Sequence, residues 1–380
     1  MKILIENFLK IAMLGHKRIP SREGGVEIVV EELSSRMVNL GHKVVCFNRS
    51  GSHVSGKDFI INNLNEYKGI KIKYVFTIDK KGLAAVSSSF FATLRVCFGS
   101  FDVVHIHAEG PAFWSFLPKI FGKRVIVTVH GLDHKRAKWG GFASWYIMQG
   151  EKHAVKYADE IIVLSKEVKK YFKDMYNRNT NFIPNGVNKP ILRKDMLIRD
   201  KFNINKDEYI LYLGRIVPEK GIQYLIEAFK IINTNKKLVI AGGSSDTESF
   251  MYELKNLAQK DKRIIFTDFV EGEILEELYS NAYVYVLPSD LEGMPLSLLE
   301  AMSYGNCCIV SNIKECTEVV EDKAIIFDRG NIFDLKEKLE LVCNDIRLVE
   351  YYKNSASEYI CNKYNWDNIV EQTINIYISR

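Results

Sequence analysis

The chain contains 380 residues, more than one hydrophobic core normally supports, so its length predicts two domains. Hydrophobic residues make up 47% and charged residues 26% of the chain, which is typical of a globular protein. No window reaches the roughly 18 uninterrupted apolar residues of a membrane-spanning helix, and the first residues do not resemble a signal peptide. Seven cysteines without a C-x-x-C spacing are expected to be reduced, and the sequence therefore predicts a cytoplasmic protein.

Charge is unevenly distributed along the chain. Residues 1–183 contain 28 of the 52 Lys and Arg and 16 of the 47 Asp and Glu, a net charge of +12, whereas residues 184–380 carry −7. This asymmetry indicates that the first part faces an anionic partner, which can be nucleic acid, an anionic membrane surface or a polyprenyl phosphate. A merely solvated basic face is the alternative. The basic part lacks a recognisable nucleic-acid-binding module, so we expect no nucleic acid.

Short apolar runs alternate with amphipathic segments in chain order. The runs are KIAML, KVVCFN, DVVHIH, RVIVTV, EIIVL, YILYLG, KLVIAG, RIIFT, YVYVL, NCCIV and KAIIF. Runs of this kind between helices predict parallel strands buried on both faces, in doubly wound α/β sheets. They are too many for one such sheet, and turn residues cluster in FIPNGVNKP. We predict Rossmann-like domains at 1–184 and 185–362 that face each other across a cleft, and a helix at 363–380 that packs back toward the first domain.

Candidate site residues follow the predicted strands, because ligands of doubly wound sheets bind beyond the carboxyl ends of strands. Gly24 and Gly25 open a helix whose N–H groups can contact a phosphate, although a plain tight turn is the alternative. His130 ends the run RVIVTV, where a structural histidine is equally compatible. His105 and His107 point to one face of a strand, but no Cys or acidic cluster completes a metal site, so we expect no metal.

The second half of the chain offers cations and carboxylates at equivalent places. Arg215 and Lys220, in RIVPEKG, enter a helix together and suit an anionic diphosphate; a solvated pair is the alternative. A glycine turn follows KLVIAG, and its Gly243 is a further candidate for binding the donor nucleotide or diphosphate. In PSDLEGMPLSLLEAM, Glu292 lies on a loop and can bind a sugar hydroxyl, and Glu300 lies in a helix and can bind a ribose diol. The free N–H groups at the start of that helix predict a phosphate site at Gly293, Met294, Pro295 and Leu296.

Together these motifs resemble a known family. The E-x7-E pair after PSDLEGMP, the upstream GRIVPEKG, IPNGV at the domain boundary, and VTVHG and GG in the first half are similar to motifs of the retaining glycosyltransferases of family 4. That family has the GT-B fold of two Rossmann-like domains. The resemblance covers about residues 10–375. It extends to bacterial enzymes that build capsular, exopolysaccharide or O-antigen chains, rhamnosyltransferases among them.

The resemblance implies a role for each motif. Arg215 and Lys220 are expected at the donor diphosphate, Glu300 at the nucleotide ribose, Glu292 at the donor sugar, and His130 near the reacting carbon. The resemblance also implies that backbone groups contact the donor: Gly24, Gly25, Gly293, Met294, Pro295 and Leu296. The donor is then a UDP-sugar or dTDP-rhamnose, and no cofactor is expected.

The acceptor is less well defined. The resemblance implies Glu27, Asp133 and Arg136 on the acceptor side, and a glycan or a polyprenyl-diphosphate-linked acceptor at the inner face of the cell membrane. The aromatic and basic stretch PAFWSFLPKIFGKR, residues 111–124, suits a membrane interface. A sugar-nucleotide epimerase on the same two-domain plan and a non-catalytic partner subunit are the alternative functions.

The resemblance also implies a mechanism. Such enzymes retain the anomeric configuration by front-face attack, and the leaving diphosphate takes the proton of the acceptor hydroxyl. The sequence has no D-x-D motif for a metal-bound diphosphate. Arg215, Lys220 and the helix start are therefore expected to stabilise the leaving group in place of Mg²⁺.

Overall fold

The computed structural model describes residues 8–51, 64–80, 82–132, 141–244 and 248–379. The chain divides into two compact units. The N-unit comprises Met1–Asn185 and Trp366–Arg380, and the C-unit comprises Gly186–Asn365. No helix among the described residues is long and apolar enough to cross a membrane. The seven cysteines are free thiols, as the sequence predicts.

The N-unit is built on one sheet. Among its described residues the sheet has eight strands: β1 (Lys10–Leu14), β2 (Lys43–Arg49), β3 (Glu66–Tyr67), β4 (Ile70–Val75), β5 (Val103–His107), β6 (Arg124–Val129), β7 (Glu160–Val163) and β8 (Asn181–Phe182). Their order is β3-β4-β2-β1-β5-β6-β7-β8, and all neighbours are parallel except β3 and β4. Four consecutive residues of β1, Ile11 to Leu14, are fully buried, so both faces of the central sheet are covered.

Helices connect these strands. Their bounds are α1 (Gly25–Asn39), α2 (Leu83–Cys97), α3 (Glu109–Ala112), α4 (Phe116–Ile120), α5 (Gly141–Tyr157) and α6 (Lys166–Tyr176). Helix α6 shows why such segments begin and end where they do. The Ser165 hydroxyl accepts a hydrogen bond from the Val168 N–H at 3.2 Å, and Asn177 ends the helix in the left-handed conformation.

The C-unit has a second parallel sheet. In its described residues the strands are β9 (Tyr209–Leu213), β10 (Lys237–Ala241), β11 (Ile264–Asp268), β12 (Val284–Leu287), β13 (Cys307–Ser311) and β14 (Ile325–Phe327). Their order is β11-β10-β9-β12-β13-β14. The chain moves outward from β9 to one edge and then returns to β12 on the other side of β9. The carboxyl ends of β9 and β12 therefore flank the topological switch point, where such sheets bind ligands.

The C-unit helices complete the doubly wound pattern. They are α7 (Leu197–Phe202), α8 (Ile222–Lys230), α9 (Glu248–Ala258), α10 (Gly272–Asn281), α11 (Leu296–Ser303), α12 (Lys314–Val320), α13 (Ile332–Asn344) and α14 (Ile346–Lys363), with a short 3₁₀ turn at Pro218–Lys220. The prediction of two doubly wound α/β domains is confirmed. The strands that the apolar runs did not reveal are β3, β4 and β8, which lie at or near a sheet edge and are shorter or alternate in polarity.

The last helix, α15 (Trp366–Ile378), belongs to the N-unit. It packs against α1, and Trp366 and Tyr377 are almost fully buried. The Arg124 guanidinium donates a hydrogen bond to the Ile376 carbonyl at 2.9 Å. Arg36 pairs with Asp367 at 3.2 Å, although the Asp367 side chain is 84% exposed. Apolar burial, rather than this ion pair, therefore holds α15 in place.

Adjacent residues of α15 provide a test of that conclusion. We expect Trp366→Ala to lower the free energy of unfolding by about 3–5 kcal/mol, because it removes a buried aromatic side chain and leaves a cavity. Asp367→Ala removes the exposed ion pair and leaves the apolar packing of α15 in place, so it should cost less than about 1 kcal/mol. Urea unfolding followed by circular dichroism measures both values. Equal losses in the two variants would contradict the packing argument.

Candidate active site

The loops that follow β9 and β12 meet in the C-unit. The Asp290 N–H donates to the Glu219 carbonyl at 2.9 Å, and the Tyr224 hydroxyl donates to the Asp290 carboxylate at 3.1 Å. Gly221 has a left-handed φ of +65°, and a Cβ there would lie 2.0 Å from the Pro288 carbonyl oxygen. Only glycine allows this approach. The close contact places the residue before it, Lys220, beside the loop after β12.

A buried ion pair joins these loops. Lys220 Nζ lies 2.5 Å from Glu292 Oε1, and the Ser289 hydroxyl donates to the same carboxylate oxygen at 2.6 Å. The Lys220 and Glu292 side chains are only 13% and 7% exposed. Each charge therefore depends on the other, because removing one partner leaves a poorly hydrated ion. The sequence predicted both as site residues but assigned them to different parts of the donor, and it did not reveal that they pair.

Arg215 lies on the same loop as Lys220, two residues after the end of β9. It is half-buried, and its carbonyl accepts a hydrogen bond from the Tyr212 hydroxyl at 2.9 Å. The neighbouring Ile216 N–H donates to the Gly243 carbonyl at 3.0 Å, so the predicted glycine turn after β10 supports this loop. Among the ion pairs formed by described residues, none involves Arg215. Within the described part of the chain, its guanidinium is thus a cation without a counter-ion.

Helix α11 begins beside these cations. Pro295 is its N-cap, in an extended conformation, so the proline precedes the first turn. Helical hydrogen bonding starts with the N–H groups of Leu298 and Leu299, which both donate to the Pro295 carbonyl. The N–H groups before Leu298 have no acceptor within the helix, and they lie at its positive end. They include those of Gly293, Met294 and Leu296; Pro295, the fourth predicted phosphate contact, has no N–H to donate.

Glu300 lies one turn further along α11. It is half-buried between fully buried neighbours, and the Tyr279 hydroxyl, on α10, donates to its Oε2 at 3.3 Å. Burial raises the pKa of Tyr279 well above its usual value, so this hydroxyl stays protonated and remains a donor. Tyr279 in turn stacks on Tyr304 with ring centroids 5.3 Å apart. The sequence did not reveal Tyr279, because it lies 21 residues away from Glu300 on a different helix.

The N-unit presents a different set of groups after β1. Gly24 is the extended N-cap of α1, and Gly25 is its first residue. Glu27 is buried, and its Oε1 accepts a hydrogen bond from the Lys17 N–H at 2.8 Å. Burial alone raises the pKa of Glu27, but the charge and the N–H of Lys17 outweigh that effect and lower it. Glu27 therefore stays ionised and braces the loop, and a contact between Glu27 and an acceptor stays a prediction.

Three histidines lie together at the carboxyl ends of β5 and β6. The rings of His105 and His107 are in contact, with centroids 4.1 Å apart, and His107 Nδ1 lies 3.0 Å from His130 Nε2. Burial lowers the pKa of His105 to about 3 and the pKa of His107 well below its usual value. Both rings are therefore neutral at physiological pH. The cluster contains no carboxylate or thiolate, and no group of described residues has an arrangement that could hold a metal ion.

The remaining predicted residues, Asp133 and Arg136, lie outside the described residues. The described site residues form one set in each unit. Arg215, Lys220, Glu292, Gly243 and residues 293–300 come together in the C-unit. Gly24, Gly25, Glu27 and His130 belong to the N-unit, on the loops after β1 and β6.

Comparison with known proteins assigns the chain to a family. The model of Glycosyl transferases group 1 matches residues 195–371, and the model of Glycosyltransferase Family 4 matches residues 23–189. The chain is a family 4 glycosyltransferase. The first match contains the C-unit residues from Arg215 to Glu300, and the second contains Gly24, Gly25 and His130.

Individual relatives of this glycosyltransferase agree with the assignment. An uncharacterized glycosyltransferase of Methanocaldococcus jannaschii is 28% identical, with 97% of this chain and 98% of the relative covered. The UDP-Gal:alpha-D-GlcNAc-diphosphoundecaprenol alpha-1,3-galactosyltransferase of Escherichia coli is 28% identical over 73% of this chain and 75% of its own length. The crystal structure of Anabaena HepE in complex with UDP-glucose has a TM-score of 0.81 at 15% identity and covers 97% of this chain and 99% of its own. The likeness to HepE shows a shared fold, which confirms the predicted GT-B class.

Proposed function

We propose that this glycosyltransferase moves a sugar from a nucleoside-diphosphate donor, held by the C-unit, to a hydroxyl of a glycan acceptor with retention of configuration. The observation that carries the proposal is the cluster at the switch point, where Arg215, the Lys220–Glu292 pair and the start of α11 converge. The E. coli relative is named for a UDP-sugar donor, and HepE binds UDP-glucose, which supports this donor class. The family match favours transfer over the epimerase alternative.

The donor diphosphate fits the cationic part of this cluster. A guanidinium without an internal counter-ion, an ammonium ion and the positive end of a helix are three sources of positive potential on adjacent loops. Negative charge grows on the leaving diphosphate as the glycosidic bond breaks. Fixed positive groups then stabilise the transition state more than the ground state. Arg215 and Lys220 thereby supply the stabilisation that other sugar-transfer sites take from a metal, and the reaction is metal-independent.

The two acids have separable roles. The Tyr279 hydroxyl donates a hydrogen bond to Glu300 and orients its side chain on α11. The Glu300 carboxylate can then accept hydrogen bonds from both hydroxyls of a ribose. Glu292 shares its Oε1 between Lys220 and Ser289, so its second oxygen is the one that can bind a hydroxyl of the donor sugar. The pairing also connects sugar binding to the position of the ammonium group. A change in the contact between Glu292 and the donor sugar therefore also changes the position of the Lys220 ammonium group beside the diphosphate.

The acceptor is proposed to be lipid-linked and reached at a membrane surface. The E. coli relative is named for a diphosphoundecaprenol acceptor. On α5, Phe142, Trp145 and Met148 are 73%, 50% and 39% exposed, and Phe142 stacks on Trp145 at 5.4 Å. The exposed Lys152 and Lys156 continue the same helix face. Apolar and cationic side chains in one stripe suit an anionic lipid interface.

The stretch at residues 111–124, which the sequence favoured for membrane contact, is arranged differently. Phe113 and Trp114 are half-buried and pack on other aromatic rings, Phe113 on Tyr146 at 4.7 Å and Trp114 on Phe90 at 4.7 Å. Lys119 pairs with Asp159 at 2.5 Å. These side chains are largely used inside the N-unit, and we therefore assign the membrane contact to α5.

The donor assignment is tested by nucleotide binding. A thermal-shift panel of nucleotide sugars identifies the donor, because a ligand at 100 times its dissociation constant adds about 2.7 kcal/mol of stability. With that nucleotide, Glu300→Ala should weaken binding by about 1–3 kcal/mol, through the loss of charged hydrogen bonds to the ribose. Glu292→Gln should mainly lower turnover; because it removes the counter-ion of Lys220 but keeps the ammonium group, it should not weaken nucleoside-diphosphate binding. Isothermal calorimetry measures both. If free nucleoside diphosphate binds the Glu300→Ala variant as tightly as the parent, the ribose assignment is wrong.

The two cations test the chemistry. Arg215→Ala and Lys220→Ala should each lower kcat by about 10²–10³, with a smaller effect on the donor KM, because both stabilise charge that develops in the transition state. The double variant should lose less than the product of the two losses, since both serve one leaving group. Steady-state kinetics with EDTA present should show an active parent enzyme.

A control separates chemistry from folding in that experiment. Lys220→Ala also leaves Glu292 as an unpaired buried charge, whereas Lys220→Ala combined with Glu292→Gln restores neutrality. Stability should recover in the combined variant while turnover stays low. Activity that EDTA abolishes and a divalent metal restores would contradict the metal-independent mechanism.

The α5 stripe makes a prediction for membrane binding. Phe142→Ser with Trp145→Ser should abolish co-sedimentation with vesicles that contain anionic lipid, because it removes the apolar half of the stripe. Phe98→Ser is the matched control. Phe98 is 80% exposed in the same unit and lies between α2 and the amino end of β5, whereas α5 follows the carboxyl end of β6. Binding by the parent that ignores both lipid charge and salt would refute the proposal.

A further inference from the structure

A chain of buried polar side chains leads from α15 to His130. His105 on β5 is fully buried; its Nδ1 lies 2.6 Å from the Tyr377 hydroxyl and its Nε2 lies 2.6 Å from the Thr128 hydroxyl on β6. His107 follows two residues later on the same face of β5, and its ring is tilted by 31° to that of His105. His107 then contacts His130. Hydrogen bonds to Tyr377 and Thr128 therefore hold His105, and contacts with His105 and His130 hold His107.

The contact between His107 and His130 is a hydrogen bond between two ring nitrogens, and only one of these nitrogens can carry the shared hydrogen. His107 Nδ1 and His130 Nε2 are 3.0 Å apart, so one carries a hydrogen and the other accepts it. The other nitrogen of His107, Nε2, is buried and has no hydrogen-bond partner among the described residues. Whichever nitrogen of His107 carries the proton, Nε2 remains unsatisfied.

The unsatisfied nitrogen decides the direction of this hydrogen bond. If His130 donated, the neutral His107 would carry its proton on Nε2, and a buried N–H would lack an acceptor. If His107 donates from its Nδ1, its Nε2 carries a lone pair, and the unsatisfied group is an acceptor rather than an N–H donor. Orphaned N–H groups in protein interiors are rarer than under-satisfied acceptors. His107 therefore donates, His130 Nε2 accepts, and the proton of the neutral His130 is on Nδ1.

We infer that His107 is a positioning residue that holds His130 neutral and in the Nδ1–H tautomer, so that His130 acts as a hydrogen-bond donor and not as a base or a cation. This inference rests on the proposed function and on the place that the family resemblance implies for His130, near the reacting carbon. A neutral donor at that place can bind a sugar oxygen and adds no positive charge next to the electron-poor reacting carbon. It also does not compete with the leaving diphosphate for the acceptor proton.

The surroundings oppose an imidazolium at His130. A proton on its Nε2 would face the Nδ1–H of His107, and His107 could accept it only by moving its own proton to the unsatisfied Nε2. Besides His130, the described titratable groups that act on the charge of His107 are His105 and His16, both buried, and burial lowers the pKa of His105 to about 3 and the pKa of His16 to about 4. None of them supplies a negative charge at physiological pH.

The inference is tested first by the tautomer itself. In the parent protein labelled with ¹⁵N-histidine, the His130 signals, assigned by comparison with His130→Gln, should show the pattern of a neutral ring with hydrogen on Nδ1. This measurement needs no substrate and is independent of the donor assignment. An Nε2–H tautomer or an imidazolium at pH 7 overturns the inference, whatever the activity.

Kinetics test what His107 contributes. His107→Leu removes the donor and should lower kcat at least 10-fold, with the donor KM and nucleotide affinity changed less than about 3-fold. His107→Asn keeps an N–H donor near the position of Nδ1 and should recover most of the loss. Equal impairment in both variants, or an unaffected His107→Leu enzyme, overturns the positioning role.

A matched control excludes a general effect of losing a buried histidine. His42, in the same unit, is 3% exposed and its Nδ1 accepts a hydrogen bond from the Leu9 N–H at 3.1 Å. His42→Leu should lower stability and leave kcat and the His130 tautomer unchanged. A loss of turnover in His42→Leu as large as that in His107→Leu overturns the inference.

Discussion

The buried ion pair between Lys220 and Glu292 is the interaction on which the candidate donor site depends. Its partners are 72 residues apart in the chain and come together because β9 and β12 are neighbours in the sheet. The close approach of Gly221 to the Pro288 carbonyl and the hydrogen bond from Ser289 fix the pair on two sides. Burying both charges is costly unless they stay together. The pair therefore locks the two loops in register and sets where Arg215 and the start of α11 can lie.

The positive potential of the C-unit site is local. Residues 184–380, which include the C-unit, carry a net charge of −7. The groups proposed to attract the donor phosphate are instead Arg215, which has no ion pair among the described residues, and the N–H groups that begin α11. Such preorganised groups need little reorganisation during the reaction. The excess positive charge of residues 1–183 agrees with the proposed contact with an anionic membrane surface.

The buried polar side chains around the β5 histidines of the N-unit are neutral, whereas Lys220 and Glu292 of the C-unit site form an ion pair. The histidines on β5 are completely buried, and their hydrogen-bond partners are hydroxyl groups and another imidazole, none of which is ionised. Burial without a counter-ion lowers their pKa values. The hydrogen bonds of Tyr377, Thr128, His105 and His107 thus fix the orientation of the rings without introducing a charge. Tyr377 belongs to this network, so α15 contributes to the N-unit both through apolar packing and through one hydroxyl group aimed at His105.

The sequence by itself determined the fold class and most strands, because uninterrupted apolar runs between amphipathic segments are compatible only with buried parallel strands. It also placed Arg215 and Glu300 after the right strands, because local chain order decides which residues follow a strand. Only the tertiary structure decided which distant residues meet. Strand order joins Lys220 to Glu292 and His107 to His130, the packing of α10 brings Tyr279 to Glu300, and the return of α15 brings Tyr377 to His105. These contacts depend on how the helices and strands pack, and no periodicity in the sequence records which faces will touch.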